Sequence, residues 1–327
     1  RQARMRTIEQ PGDTRLLDYV DPARTRSCPA RCAFPPSFRI LLLTLVALAG
    51  LCFAPAARAD ITIFVISDTH YGFVADSTEQ NQLRAVRALP GTPYPASIGG
   101  VVATPDAVFV LGDLVEEAAS PVQFFTDYSG NGCTGGVPWP VYECDGNHDR
   151  QPVRDMIVQR HGDLLYNVDI GGVRFQSLSD LPSVASIATV SASLSALPAG
   201  TPVILFHHRP VSAPGGYISE WDPLAVDAYR GMLAGRNVIA IMFGHDHYSR
   251  HYVWEGYDTY TPGSVRQAPT TAYPESFVVI RITATTLSAA SWIFGWDAVN
   301  NTLVWAGGKW GWTHQKTVAL NTPVVAQ

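Results

Sequence analysis

Five short clusters hold most of the chemically capable side chains in this sequence: Asp68-Thr69-His70, Gly112-Asp113, Gly146-Asn147-His148-Asp149, His207-His208-Arg209-Pro210 and Gly244-His245-Asp246-His247. They offer carboxylate, amide and imidazole donors. Such a set suits a hard or borderline divalent ion, of which Mn, Fe and Zn are the candidates. Two such ions roughly 3.5–4 Å apart can lower the pKa of a shared water and neutralise the oxygens of a phosphate. The clusters therefore read as a candidate two-metal site.

Something must bring residues 68 and 247 together. Each cluster follows an apolar run rich in β-branched and aromatic residues: Ile61 to Ile66, Ala107 to Leu111, Pro140 to Tyr142, Pro202 to Phe206 and Asn237 to Phe243. These runs read as buried strands. In open α/β sheets ligands bind outside the carboxyl ends of strands, so one rim would collect the metal-competent side chains. Helices are predicted over Ser77 to Leu89, Pro121 to Tyr128, Val153 to His161 and Pro223 to Ala234. Gly171-Gly172 between two apolar-rich runs predicts a hairpin over Tyr166 to Leu178. After the last cluster the pattern is strand after strand, over Tyr252 to Tyr260, Phe277 to Thr283, Leu287 to Phe294 and Thr302 to Trp305, which suggests that the second half adds a sheet.

The order Asp-x-His, Gly-Asp, Gly-Asn-His-Asp, a His after a strand, then Gly-His-x-His resembles the calcineurin-like metallophosphoesterase superfamily. The Thr261-Pro262-Gly263-Ser264 turn resembles that family too. The resemblance implies an α/β fold, the four-layer α/β-β-α sandwich: two mixed sheets face to face with helices outside. It implies that Asp68, His70, Asp113 and His247 hold one metal ion, while Asp113, Asn147, His208 and His245 hold the other, with Asp113 as the bridge. A hydroxide between the metals would attack phosphorus in line with the leaving oxygen. His148 would face the substrate, stabilising phosphoryl charge or protonating the leaving alkoxide, with Asp149 orienting its ring. Spacing to Pro210 selects His208 as the ligand; alignment on the first His of the pair would select His207 instead. Purple acid phosphatases carry a Tyr three residues after the bridging Asp, and here that position is Glu116, read as a solvated or supporting acid. A purple ferric centre is not expected. His161, His251 and His314 lie outside the clusters and read as structural or surface residues, although His251 and Arg250 follow the last cluster closely.

The implied activity is hydrolysis of a small phosphomonoester or phosphodiester. A cyclic-nucleotide or phospholipid-headgroup diesterase is the alternative, and a non-catalytic metal-binding scaffold on the same fold is a further one. Composition narrows the partners. Fifteen uncharged residues, Ile40 to Ala54, follow Arg39, and Ala57-Arg58-Ala59 has small residues where a signal peptidase reads. As a helix that run would span about 22 Å, short of a hydrocarbon core of about 30 Å, so an exported chain beginning at Asp60 is expected, secreted or periplasmic, without a stable membrane anchor. Residues 1–38 exceed an ordinary leader and are set aside from the fold, which leaves 60–327 as a single domain. Residues 1–59 hold nine Arg against four acids, leaving fourteen basic and twenty-four acidic residues and a net charge near −10. That balance disfavours long nucleic acid as a partner. In an oxidising compartment Cys133 and Cys144 could pair across the Thr134-Gly135-Gly136 stretch.

Overall fold

The computed structural model describes residues 60–73, 76–116, 119–128, 136–215, 219–265, 275–297 and 302–320. The predicted leader, residues 1–59, lies outside them, as does Cys133, so the expected Cys133–Cys144 pairing falls outside the described residues; Cys144 is buried.

The apolar runs are strands: β1 (Ile61–Ile66), β2 (Ala107–Leu111), β3 (Val141–Cys144), β6 (Val203–Phe206) and β7 (Val238–Met242). Between them stand α1 (Asp76–Ala88), α2 (Val122–Tyr128), α3 (Gln151–His161), the hairpin β4 (Asn167–Ile170) and β5 (Val173–Ser177), α4 (Val184–Ser195) and α5 (Pro223–Leu233). The chain closes with β8 (Arg250–Trp254), β9 (Tyr257–Thr261), β10 (Ser276–Ile282), β11 (Thr286–Asp297) and β12 (Thr302–Thr317). Gly171 and Gly172 make the β4–β5 turn with φ of 53° and 77°, which side chains disfavour at consecutive positions.

Two mixed six-stranded sheets result, ordered β12-β11-β10-β1-β2-β3 and β4-β5-β6-β7-β9-β8. The terminal strands do not build a sheet of their own, contrary to the sequence expectation. The antiparallel run β10 to β12 extends the first sheet by pairing β10 with β1, whereas β9 joins the second sheet in parallel with β7. Strand pairing across the chain ends is a long-range choice that local pattern does not encode.

Alternation along the strands explains the layers. Ile204 and Phe206 enter the core between the sheets, and Leu205 points the other way, into a second cluster with Ile187, Val190 and Leu194 of α4 and Tyr229 and Leu233 of α5. Phe109 of β2 stacks on Phe175 of β5 at 4.7 Å and meets Phe206 at 5.1 Å, so the two sheets touch face to face. Leu83, Phe124 and Ile157, one from each of α1 to α3, are buried in the larger cluster. Helix α4 is the element the sequence reading missed. Its polar face is serine-rich, yet Ser183 caps it in a reciprocal capping box with Ser186, and Ile187, Val190 and Leu194 recur at helical spacing.

Candidate metal centre

Strands β1, β2 and β3 run parallel in one sheet, β6 and β7 run parallel in the other, and the clusters leave their carboxyl ends. Hydrogen bonds knit these ends together. Within each sheet, the Asp68 N–H donates to Gly112 O (3.1 Å), His70 N–H to Asp113 O (3.0 Å) and Gly244 N–H to His208 O (3.0 Å). Between sheets, His245 N–H donates to Asp68 Oδ2 (3.0 Å). The predicted Thr-Pro-Gly-Ser turn closes behind, where Ser264 Oγ donates to Asp68 O (3.0 Å).

The backbone at these ends is unusual. Asp68, His70, Asp113, His245 and His247 all have φ between 42° and 72°, and they make up five of the seven non-glycine residues with positive φ among the described residues. Such conformations cost about 1–3 kcal/mol each and cluster where function requires a particular aim. The motif glycines answer a different need. A Cβ on Gly244 would overlap Ser67 Oγ and lie 2.7 Å from Asp68 Oδ2; one on Gly146 would overlap the Asp113 backbone and Oδ1.

Two groups of donors converge. Asp68 Oδ1 faces His247 Nε2 at 3.3 Å and His70 Nε2 at 3.9 Å. Asp113 Oδ2 lies 3.2 Å from His208 Nε2 and 3.6 Å from His70 Nε2, placing one oxygen between the groups. Its other oxygen, Oδ1, accepts from His148 N–H (2.8 Å), so Asp113 presents a single oxygen to both groups rather than one to each. Asn147 Oδ1 sits 3.1 Å from His208 Nε2 and 2.9 Å from His245 Nδ1. All seven residues predicted as ligands are thus brought together.

The pair His207-His208 is resolved by β6. His208 Nδ1 meets Leu111 O at 2.7 Å, which turns Nε2 toward Asp113 and Asn147. His207 points the opposite way, with Nδ1 against Arg209 O (2.9 Å) and its ring stacked on Phe243. Burial pushes that imidazole down to about 3, as befits a neutral core histidine. His207 is not at the centre.

The electrostatics fit cations. Burial alone would raise Asp68, but His247, His208 and His70 beside it hold the carboxyl well below the usual carboxylate range. Burial likewise opposes charge on His208, yet Asp113 and Asp68 lift it to about 10. Asp68 Oδ1 is buried with no hydrogen-bond partner among the described residues. Ligand atoms bound at about 2.0–2.2 Å to one ion stand roughly 3–3.6 Å apart, and the separations here match apart from the 3.9 Å between Asp68 Oδ1 and His70 Nε2. The donor set therefore fits two divalent ions.

One expectation about an acid is corrected, and another is made specific. Asp149 does not orient the His148 ring: its carboxylate accepts from the backbone N–H groups of Leu114 (2.9 Å), Val115 (3.0 Å) and Gly146 (2.8 Å), tying the β2 and β3 loops together. Glu116 takes that role instead, with Oε1 2.9 Å from His148 Nδ1 and Oε2 3.2 Å from His70 Nδ1. The His148 and His70 rings meet edge to face, 4.9 Å apart. Glu220 was also missed. It lies 3.0 Å from His245 Nε2 and ion-pairs with Arg209, which Asp180 holds from the other side at 3.0 Å. The signal for Glu116 was its place three residues after Asp113; Glu220 had none.

A family model described as calcineurin-like phosphoesterase matches residues 61–249. The chain belongs to this family. The matched span runs from β1 to just past His247, and so includes every strand that ends in a candidate ligand. No curated protein matches the chain. Several solved structures are similar to this phosphoesterase-family chain. A dimetal phosphatase from Danio rerio is 12% identical, with 76% of this chain and 98% of that one covered and a TM-score of 0.50. GAP50, described as the anchor in the inner membrane complex of Plasmodium, is 11% identical over 80% and 90% of the two chains, with a TM-score of 0.51. Vps29 from Chaetomium thermophilum is 15% identical over 79% and 99%, with a TM-score of 0.43.

Proposed function

We propose that this protein is an exported two-metal phosphoesterase that hydrolyses small phosphomonoesters or phosphodiesters. The observation carrying the reading is the convergence of seven oxygen and nitrogen donors from five strand ends into two adjoining groups, with the buried Asp113 Oδ2 between them, 3.2 Å from His208 Nε2 and 3.6 Å from His70 Nε2. When bound, the two divalent ions supply Lewis acidity toward the phosphoryl oxygens and a water acidified toward neutral pH.

Asp68, His70, Asp113 and His247 would hold one ion, and Asp113, Asn147, His208 and His245 the other. The chain's remaining groups do the positioning. Glu116 holds His148 by Nδ1, which commits Nε2 to the substrate side, where it delivers a proton to the leaving alkoxide. His208 and His245 are each aimed by a partner on the second ring nitrogen, Leu111 O and Glu220 respectively, and such supports typically matter 10–100-fold in metal affinity or activity. Arg209 is clamped between Asp180 and Glu220, so it steadies the His245 support rather than reaching for phosphate. Export rests on the leader-like run Ile40 to Ala54 and the small residues ending at Ala59.

The direct test is to strip the purified protein with chelator, reload it singly with Mn, Zn or Fe, and assay p-nitrophenyl phosphate beside bis-p-nitrophenyl phosphate. Metal-restored hydrolysis of either supports the reading, and the rate ratio separates monoester from diester preference. Two ions bound per chain with no turnover on either would point to the scaffold alternative.

A further inference from the structure

Beside the metal centre stands an aromatic side chain with no part in holding the ions. Phe73 is 52% exposed, and among the described residues it is the one aromatic side chain that is exposed rather than buried or half-buried. It comes three residues after the candidate ligand His70, and its N–H donates to His70 O at 3.0 Å, so a tight turn carries it at the rim of the centre. A singly exposed apolar residue usually means nothing. The surroundings of this one give it a meaning.

The loop is built to hold it there. Tyr71 turns inward against α2, buried, with its ring edge to face with Phe124 at 5.5 Å and its Oη donating to Asp127 Oδ2 at 3.0 Å. Gly72 then redirects the chain at a φ of 90°, a conformation that residues with side chains rarely adopt, and a Cβ there would overlap Ala119. Phe73 is therefore presented to solvent from a pinned loop, which lowers the entropic cost of using it in binding.

Its place also selects the end of a substrate that it meets. The Phe73 loop is bonded to the loop that carries Glu116: Tyr71 N–H donates to Leu114 O (3.0 Å) and Glu116 N–H to Tyr71 O (2.9 Å). Glu116 in turn holds His148 at 2.9 Å, the residue that delivers a proton to the leaving alkoxide in the proposed reaction. Phe73 and the leaving group thus share one flank of the centre. The flank beyond His245 presents the ion pair of Glu220 and Arg209 instead, a surface that favours polar groups. We propose that Phe73 is a specificity-determining residue that packs against an aryl or similarly flat apolar group on the leaving alcohol, so that aryl phosphoesters are preferred over those of small alkyl alcohols. This preference rests on the phosphoesterase reading and narrows its substrate class.

The test uses the metal-loaded full chain and two phosphonates, which have no ester bond to cleave and so report binding without turnover. Calorimetric titration is expected to show phenylphosphonate binding more tightly than methylphosphonate to wild type. The ratio of the two affinities is expected to fall roughly five- to tenfold in Phe73→Ala, the worth of an aromatic contact, and to survive in Phe73→Tyr. An equal ratio in wild type and Phe73→Ala overturns the proposal, as does a wild type without preference. Steady-state rates on phenyl phosphate and methyl phosphate keep the two readings apart. A phosphonate preference lost in Phe73→Ala, with neither ester hydrolysed by wild type, would uphold the aryl contact and sink the hydrolase; hydrolysis of both esters, with an affinity ratio indifferent to Phe73→Ala, would do the reverse.

Discussion

At the scale of single residues, the roles of Asp113 and His148 are separable although His148 N–H donates to the Asp113 carboxylate. Asp113→Asn is expected to release both ions and abolish turnover, because one oxygen serves both donor groups. His148→Ala is expected to keep both ions and to lower kcat about 10²–10⁴-fold, the usual worth of a positioned proton donor. Elemental analysis beside kinetics decides; loss of metal in His148→Ala would contradict its placement outside the ligand set. Glu116→Gln is expected to lower kcat about 10–100-fold by loosening the rings of His148 and His70 together. A variant with wild-type kinetics would return Glu116 to the solvated one of the two roles that its sequence position suggested. The ligands were legible because each stands in a strand-end cluster. Asp149 was misread, and the two readings of Glu116 stayed undecided, because a carboxylate's partner is set by the turn of the loop around it, not by its neighbours in sequence.

At the scale of elements, the centre depends on loops that pack without slack. Gly244→Ala would push its Cβ into Ser67 Oγ and toward Asp68 Oδ2. The expected outcome is a folded protein with weakened metal binding, read by circular dichroism alongside metal content; full metal content would show that the loop can yield. Asp149→Ala removes the acceptor for three buried backbone N–H groups from two loops, and is expected to cost about 2–3 kcal/mol in urea unfolding even before metal is added. A loss under about 0.5 kcal/mol would mean that water replaces the carboxylate. The strand ends were visible from apolar runs, and four of the five helices among the described residues from their caps and periodicity. Helix α4 escaped because small and hydroxylated residues fill its open face, and the partition of the last strands escaped because sheet neighbours are chosen across the whole chain.

At the scale of the molecule, stability should respond to pH through Glu275, which enters β10 fully buried with neither carboxylate oxygen hydrogen-bonded among the described residues. Burial pushes its carboxyl up to about 8, against an ordinary value of 4.5. Between those values the folded chain keeps a proton that the unfolded chain releases, so stability falls as pH rises through that window and levels off above it. Glu275→Gln cannot ionise. Its advantage over wild type is expected to grow by a few kcal/mol between pH 5 and pH 9 in chemical denaturation, and a constant difference would show that Glu275 finds a charged partner.

Sequence alone determined the family resemblance, the strand ends and the seven converging donors, since apolar runs dictate buried strands and clusters at their ends inherit their position. It left the choice between His207 and His208 open and could not place His251 and His314 relative to one another. Tertiary structure decided both matters. Adjacent residues beyond β6 face opposite ways, and only the packed sheets show that one ring meets Asp113 while the other meets Phe243. Likewise, residues 251, 258 and 314 come within reach of one another only because β12 returns to the first sheet's edge, beside the edge of the second. Which edges meet is fixed by the core as a whole.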